Sequence, residues 1–150
     1  MSSKYFNMCG IVGIFIKNKK LENKLGHYLS IMIDNMSTRG PDSAGFAIYK
    51  SLKNLKKYKY SLCISVDEDI KLFELKIKQK FKDINLKQFS DHLVATTSAK
   101  PNIFNKYIID KFSNISIVGY GKSIEIFKQV GNPTEVVKKF KLNNFSGTHG

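Results

Sequence analysis

Apolar residues recur along this chain with two spacings, which predict a mixture of β-strands and α-helices. Adjacent or alternating apolar residues are typical of strands, and apolar residues three or four positions apart are typical of a helix with one buried face. Strands are therefore expected at residues 9–16, 44–49, 58–65, 92–98, 115–119 and 123–130, the last two forming a hairpin. Helices are expected at residues 21–36, from about 70 to 86, at 101–110 and from 133 onward.

Short-range signals mark where several of these elements begin or end. Gly40 and Pro41 together are expected to end the first helix, because both residue types disfavour its continuation. Asp67 or Asp69 is expected to cap the second helix. In residues 132–135, Asn-Pro-Thr-Glu, the asparagine suits the cap, the proline the first helical position and the glutamate the third.

The composition is typical of one globular domain. The chain has 150 residues, of which 42% are hydrophobic and 12% aromatic, and this length suffices for a sizeable core. No internal repeat or low-complexity linker divides it. Residues 1–7 contain no apolar run of signal-peptide length, and no other run is long enough to cross a membrane. We therefore expect a cytoplasmic protein without a membrane partner.

The formal net charge of +13 first suggests a nucleic-acid-binding protein. However, Arg39 is the only arginine, and the other basic residues are lysines scattered through the chain. Nucleic-acid sites commonly use arginine for bidentate contacts with bases and phosphates. We therefore expect a solvated lysine-rich surface and no nucleic-acid partner. The lysine cluster at residues 50–57 is expected to be an exposed connection between strands.

Neither cysteine has a partner at a spacing that suggests a metal site or a disulfide. Cys9 and Cys63 are not part of a Cys-x-x-Cys pair or of a Cys/His ligand pattern, so no zinc site is expected. Cys63 lies in an alternating strand and is expected to be a small buried apolar residue. His27 lies off the apolar stripe of the first helix and is expected at the surface.

Cys9 nevertheless has a chemical possibility of its own, because it follows Met8. If Met8 is the true start and is removed, Cys9 carries both a thiol and a free α-amine, with reference pKa values of about 8.5 and about 8. Such a residue contains its own nucleophile and base, and needs no distant histidine. The alternative interpretation is an ordinary buried strand that happens to contain a cysteine.

Two motifs, taken together, resemble those of a known family. Met-Cys-Gly-Ile-Val-Gly at 8–13 and Arg-Gly-Pro-Asp-Ser-Ala-Gly at 39–45, separated by a helix, resemble the class II glutamine amidotransferases, which are N-terminal-nucleophile (Ntn) hydrolases. The similarity is greatest to the stand-alone amidotransferase subunits of archaeal-type glutamate synthase and N-methylglutamate synthase. The resemblance implies an α/β (α+β) protein, an Ntn αββα sandwich that is incomplete at the C-terminus.

The resemblance also implies an activity. Cys9 would be the catalytic nucleophile that hydrolyses L-glutamine through a thioester, and the ammonia would pass to a synthase subunit or domain. Arg39 would stabilise the Cys9 thiolate or its loop, and Asp42 would orient Arg39. No metal or organic cofactor is implied. His149 is expected to be a loop residue and not a partner of Cys9 in a dyad.

The family pattern also bears on the two ends of the sequence. Residues 1–8 are expected to be removed, either as a leader or because translation starts at Met8. Residues 9–150 would form the N-terminal part of the amidotransferase domain, because the family's Gly-His-Thr-Arg segment, its Asn-Gly oxyanion pair and its acidic glutamine-binding residue come later. This fragment alone is expected to be inactive.

Several alternatives remain open. The domain could be the amidotransferase of a glucosamine-6-phosphate synthase, an amidophosphoribosyltransferase or an asparagine synthetase. It could also be a truncated, non-catalytic assembly piece. A basic nucleic-acid-binding module is the third alternative, and it would bind DNA or RNA with a steep dependence on salt.

Overall fold

The computed structural model describes residues 9–39, 42–51 and 56–150. Three expectations therefore lie outside the described residues: the leader or start at residues 1–8, the helix break at Gly40 and Pro41, and the middle of the lysine-rich connection at 52–55. Lys56, at the edge of that connection, is exposed as expected.

Six strands and four α-helices form the described structure, and two short 3₁₀ helices flank them at Lys19–Lys24 and Leu142–Asn144. The strands are β1 (Ser43–Tyr49), β2 (Tyr58–Ile64), β3 (Asn85–Phe89), β4 (His92–Thr97), β5 (Ile115–Gly121) and β6 (Ile124–Val130). The helices are α1 (Leu25–Asp34), α2 (Ile70–Lys80), α3 (Pro101–Lys111) and α4 (Pro133–Lys139). The expected α+β class is confirmed.

The chain divides into two compact units. Unit 1 consists of the described residues up to 48 and of residues 128–150, and it contains α1, α4 and most of β1. Its buried apolar side chains come from these three elements, from Ile16 and from residues 140–145. The ring of Phe46 in β1 meets those of Phe140 and Phe145 edge to face, with centroids 5.9 and 5.7 Å apart. Aromatic pairs favour this geometry.

Unit 2 consists of the described residues between 49 and 127 and contains a four-stranded sheet in the order β3-β4-β2-β5. All three pairings in this sheet are antiparallel. Its core joins one face of the sheet to the apolar faces of α2 and α3, and Tyr60, Phe73 and Phe104 are among its fully buried residues. Tyr60 stacks on Phe104 with ring centroids 3.8 Å apart, and its hydroxyl donates to Ala99 O at 2.6 Å.

The helix predictions were mostly correct. The first helix follows the predicted stripe, with Leu25, Leu29 and Ile33 buried and His27 exposed. Asp69 caps α2, since its carboxylate accepts from the backbone N–H groups of residues 71 and 72. Asn132 caps α4 and accepts from Thr134 N, with Pro133 in the first turn as expected.

The prediction that residues 9–16 form a buried strand was wrong. The segment makes only an isolated bridge, between Phe15 and His149, and Ile11 and Phe15 are 94% and 66% exposed. Only Ile16 is buried. A buried strand needs neighbours on its edges and faces, and among the described residues the segment pairs with residues 148–150 alone.

The predicted hairpin at 115–130 was also wrong. The two strands belong to different sheets, because β5 pairs with β2 and β6 pairs with β1. One backbone N–H of β6 is bonded to a side chain of β2 instead: Ile126 N donates to the hydroxyl of Ser61 at 2.8 Å. Ser61 lies at the irregularity in the β2–β5 register, and such bulges redirect backbone and side-chain groups.

The second helix ends earlier than expected, at Lys80, and Leu86 belongs to β3. The apolar spacing that suggested one long helix therefore spans a helix, a turn and a strand. Asp83 holds the turn, because its carboxylate accepts from Thr97 Oγ1 at 2.6 Å and from Ser98 N at 2.8 Å. The local spacing of apolar residues could not predict these contacts, because Thr97 and Ser98 lie far from Asp83 along the chain.

Among the described residues, no helix has both the length and the apolar character that crossing a bilayer requires.

Candidate functional site

The extended segment that begins at Cys9 is held in unit 1 by backbone hydrogen bonds with the C-terminal residues. Ile14 N donates to Gly150 O at 2.9 Å, Gly150 N donates to Ile14 O at 3.1 Å, and Ile16 N donates to Thr148 O at 2.8 Å. Cys9 itself is exposed and forms no disulfide. The thiol is therefore accessible, as a nucleophile must be.

Cys9 is one of the residues that line a cavity of about 510 Å³. All of its described lining belongs to unit 1, and it includes the three residues that the sequence singled out, Cys9, Arg39 and Asp42. The rest of the lining comes from the segment after Cys9, from α1 and the turn that follows it, from the first five residues of β1, and from Pro133 and Gly150. Pockets of this volume commonly hold small molecules.

The turn after α1 lies directly against the residue that follows Cys9. A β-carbon built on Gly10 would lie 2.3 Å from Met36 Cε and 3.6 Å from Arg39 Cβ. Arg39 is fixed at the backbone, where its N–H donates to Met36 O at 2.9 Å. The absence of a side chain at Gly10 thus leaves room for the end of the Met36 side chain, and Arg39 lies at an ordinary contact distance from the same point.

Arg39 and Asp42 are both exposed and both face the same cavity. In the ranges that the structure describes, no ion pair joins their side chains within 4.0 Å. The backbone of Asp42 is anchored, because Asp42 O accepts from Gly131 N at 2.9 Å. The structure thus brings the two residues to one site, and the orienting role of Asp42 stays a prediction.

The C-terminal residue closes part of the cavity wall. A β-carbon on Gly150 would meet Ala47 O and Leu29 Cδ2, both at 2.9 Å, so no larger residue fits between β1 and α1 at this point. His149 is absent from the described lining. Its ring lies 5.6 Å from that of Phe15, centroid to centroid. His149 also forms an isolated β-bridge with Phe15, so it does not lie in an unpaired loop.

Sequence reasoning missed several residues of the cavity wall. Pro133 was predicted only as the first residue of a helix, and Met36 and Phe46 only as parts of a helix and a strand, yet all three line the cavity. Periodicity reports whether a residue points inward. It does not report whether the space it points into is filled by other side chains, so no sequence signal could have found them.

No protein-family model matches the chain. The chain is similar to proteins named as glutamine amidotransferases. It is 35% identical over 144 residues to the glutamine amidotransferase-like protein GlxB of Rhizobium meliloti (strain 1021), an alignment that covers 95% of this chain and 48% of that protein. It is 28% identical over 157 residues to a putative glutamine amidotransferase of Methanothermobacter thermautotrophicus (strain Delta H), covering 95% of this chain and 50% of that protein.

The chain thus spans about half the length of the curated relatives that it matches. Both alignments include nearly all of this chain, so the similarity is not limited to the two short motifs around Cys9 and Arg39.

Proposed function

We propose that this chain is the N-terminal part of a class II glutamine amidotransferase, with Cys9 as the nucleophile. The observation that carries the proposal is the shared cavity, on which an accessible cysteine, the sole arginine and Asp42 converge. The names of the two relatives support the same activity. The Ntn αββα sandwich belongs to the proposal as well, with only part of it contained in this chain.

The proposed reaction begins once Cys9 is the first residue of the mature protein. The α-amine takes the thiol proton, and the sulfur attacks the side-chain amide carbon of glutamine. The C–N bond then breaks, the amine returns the proton to the leaving nitrogen, and ammonia departs to leave a γ-glutamyl thioester. Water attacks the thioester and releases glutamate. The covalent intermediate divides one difficult amide hydrolysis into two easier displacements.

Arg39 fits the role of stabilising the thiolate or the nucleophile loop. Its Cβ would lie 3.6 Å from a β-carbon built on Gly10, and the guanidinium group of arginine is planar, with several donors in a fixed geometry. A fixed positive charge favours the anionic form of a nearby thiol. Asp42, which lines the same cavity, is proposed to orient the guanidinium when substrate is bound.

Ammonia would pass to a synthase subunit or domain in the cytoplasm, such as a glutamate or N-methylglutamate synthase. Free ammonia is mostly protonated in neutral water and is then not a nucleophile, so a nearby acceptor site is needed. The amidotransferases of glucosamine-6-phosphate synthase, amidophosphoribosyltransferase and asparagine synthetase use the same half-reaction and are the alternative assignments.

The test is active-site labelling of the protein purified from its native source. A diazoketone analogue of glutamine alkylates a reactive thiol that binds glutamine, and the modified peptide is identified by mass spectrometry. We expect one adduct, on a Cys9 that is the N-terminal residue, and protection by glutamine but not by asparagine. The Cys63 peptide of the same digest serves as the internal control and should be unmodified.

Kinetics of Cys9→Ser complete the test. Glutamine hydrolysis by the native protein should fall on the order of 10⁴-fold or more when the nucleophile is replaced. Residues still attached ahead of Cys9 in an active sample would exclude the α-amine mechanism. An adduct on any residue other than Cys9 would exclude Cys9 as the nucleophile.

A further inference from the structure

A second group of reactive side chains lies in unit 2, on neighbouring strands of the four-stranded sheet. Cys63 of β2 and His92 of β4 are direct partners in the antiparallel register, and Asp91 immediately precedes His92. Directly opposite residues on an antiparallel pair have β-carbons about 4.5–5.5 Å apart. The pairing of the two strands thus brings a thiol, an imidazole and a carboxylate together.

The donor atoms of these three residues are close enough to share one metal ion. One ligand atom from each, the Cys63 sulfur, a carboxylate oxygen of Asp91 and a ring nitrogen of His92, lie within 4.8 Å of one another. His92 Nδ1 lies 3.0 Å from Asp91 Oδ1. Zinc bonds of about 2.0–2.3 Å in a tetrahedral arrangement place the ligand atoms roughly 3.3–3.6 Å apart, so only small side-chain adjustments are needed.

The chemistry of the donor set selects a borderline-soft divalent cation. A cysteine thiolate and a carboxylate supply two negative charges and a neutral imidazole supplies none, so a divalent ion makes the group electrically neutral. Thiolate and imidazole together favour zinc over magnesium or calcium, which prefer oxygen ligands.

The surroundings suit a partly buried site with one open side. The His92 side chain is 1% exposed, and its ring lies beside that of Phe127, with centroids 6.0 Å apart. The Asp91 side chain is 30% exposed and Cys63 is half-buried, which corrects the expectation that Cys63 is a buried apolar residue. A metal ion could enter from this side, where water would supply a fourth ligand.

We propose that Cys63, Asp91 and His92 bind one Zn²⁺ ion that links β2 to β4. The site lies in unit 2, contains none of the residues assigned to glutamine hydrolysis, and does not depend on the proposed function. In the competing interpretation, the Asp91–His92 hydrogen bond is purely structural and no metal ion binds. A measurement of metal binding distinguishes the two interpretations.

The test titrates the protein, freed of metal by a chelator, with Zn²⁺ in competition with a chromophoric zinc indicator. The parent protein carries Cys9→Ser, which removes the other thiol. We expect one equivalent of Zn²⁺ to bind. Cys63→Ser and Asp91→Asn should each weaken binding at least tenfold, because mutating even a residue that only hydrogen-bonds to a metal ligand lowers metal affinity about 10–100-fold. His27→Gln and Asp34→Asn, both at exposed positions, are the matched controls and should bind as the parent does.

Cobalt binding to the same parent protein gives a second measurement that needs no further variant. A thiolate ligand to Co²⁺ produces a sulfur-to-metal charge-transfer band in the near ultraviolet, which we expect at one equivalent. Absence of this band, absence of stoichiometric Zn²⁺ binding, or binding equally strong in a folded Cys63→Ser protein would each overturn the proposal. Far-ultraviolet circular dichroism establishes the folding of each variant.

Discussion

At the scale of single residues, the basic residue that lines the cavity at Cys9 is an arginine, whereas the other basic residues of the chain are lysines. The chain has 25 basic residues, and Arg39 is the only one that is arginine. Arginine differs from lysine by a planar, delocalised group with several donors in a fixed geometry. A position that keeps arginine in so lysine-rich a chain is consistent with a need for that geometry.

Arg39→Lys tests this need. The substitution keeps the charge but removes the planar fork, and we expect glutamine hydrolysis by the native protein to fall about tenfold or more in kcat/KM, the scale of lost charge-stabilising contacts. Glutamate release measures the rate. Arg39 is exposed, so the thermal midpoint should stay within about 2 °C, the range of a change under about 0.5 kcal/mol in a chain of this size.

The comparison variant is Arg39→Gln, which removes the charge as well and should lower the rate further. If Arg39→Lys hydrolyses glutamine as fast as the unaltered protein, the planar group has no role and the proposed function of Arg39 is wrong.

At the scale of elements, α1 is the scaffold of unit 1, and its position depends on a glycine. Gly26 N donates to Phe145 O at 2.9 Å, which joins the helix to the C-terminal segment. A β-carbon on Gly26 would lie 2.0 Å from Leu142 O and 2.8 Å from Phe145 O. Both obstacles are backbone atoms, so the helix or the segment would have to move.

We therefore expect Gly26→Ala to destabilise the protein by about 3 kcal/mol, as overpacking in a close contact does. Alanine gains roughly 1 kcal/mol of helix propensity over glycine, and the backbone clash outweighs this gain. Urea unfolding followed by circular dichroism gives the value. Gly13→Ala is the matched control, because its nearest atom would be Gly150 O at an ordinary 3.5 Å, and it should change stability by less than about 1 kcal/mol. Equal stability of the two variants would contradict the packing argument.

Elements were predictable where a local pattern decided them. The caps of α2 and α4 could be predicted because Asp69 and Asn132 bond to backbone groups within three residues. The partners of β5 and β6 could not, because pairing depends on strands that lie far away along the chain. The end of α2 was missed for the same reason, since Asp83 bonds with Thr97.

At the scale of the whole molecule, the balance of charge sets the response to acid. The formal charge is already +13 at neutral pH, and protonation of carboxylates raises it further. Glu125 is buried between Lys50 and Lys59, with Lys50 Nζ 3.0 Å from the carboxylate. Burial raises the pKa of Glu125, but the hydrogen bonds and positive charges of Lys59 and Lys50 outweigh it and hold that pKa below its usual value.

A carboxylate with a lowered pKa in the folded state stabilises the protein above its unfolded pKa of about 4.3, and this stability is lost as pH falls through the folded pKa. Asp83 acts in the same direction, because hydrogen bonds from Thr97 and Ser98 lower its pKa. We therefore expect the free energy of unfolding to decrease as pH falls below about 4.5, measured by urea unfolding across a pH series.

The variant that isolates Glu125 is Glu125→Gln. It should lose about 2 kcal/mol at pH 7, the scale of hydrogen bonds to charged groups, and its stability should depend less on pH below about 4.5. Glu74→Gln is the control, because it breaks the exposed pair with Lys78 and should change stability by less than about 0.5 kcal/mol. An unchanged acid response in Glu125→Gln would show that this ion cluster does not contribute to the pH dependence.

The sequence by itself determined what depends on neighbours along the chain: most helix and strand spans, the helix caps, and the candidate nucleophile with its Arg-Gly-Pro-Asp motif. Only the tertiary structure decided which strands pair, how exposed residues 9–16 are, and that Cys9, Arg39 and Asp42 share a cavity. It also brought Cys63 to His92. The physical reason is that the spacing of apolar and polar residues reflects local hydrogen bonds and burial, whereas contacts between residues distant in the sequence depend on how the whole chain packs.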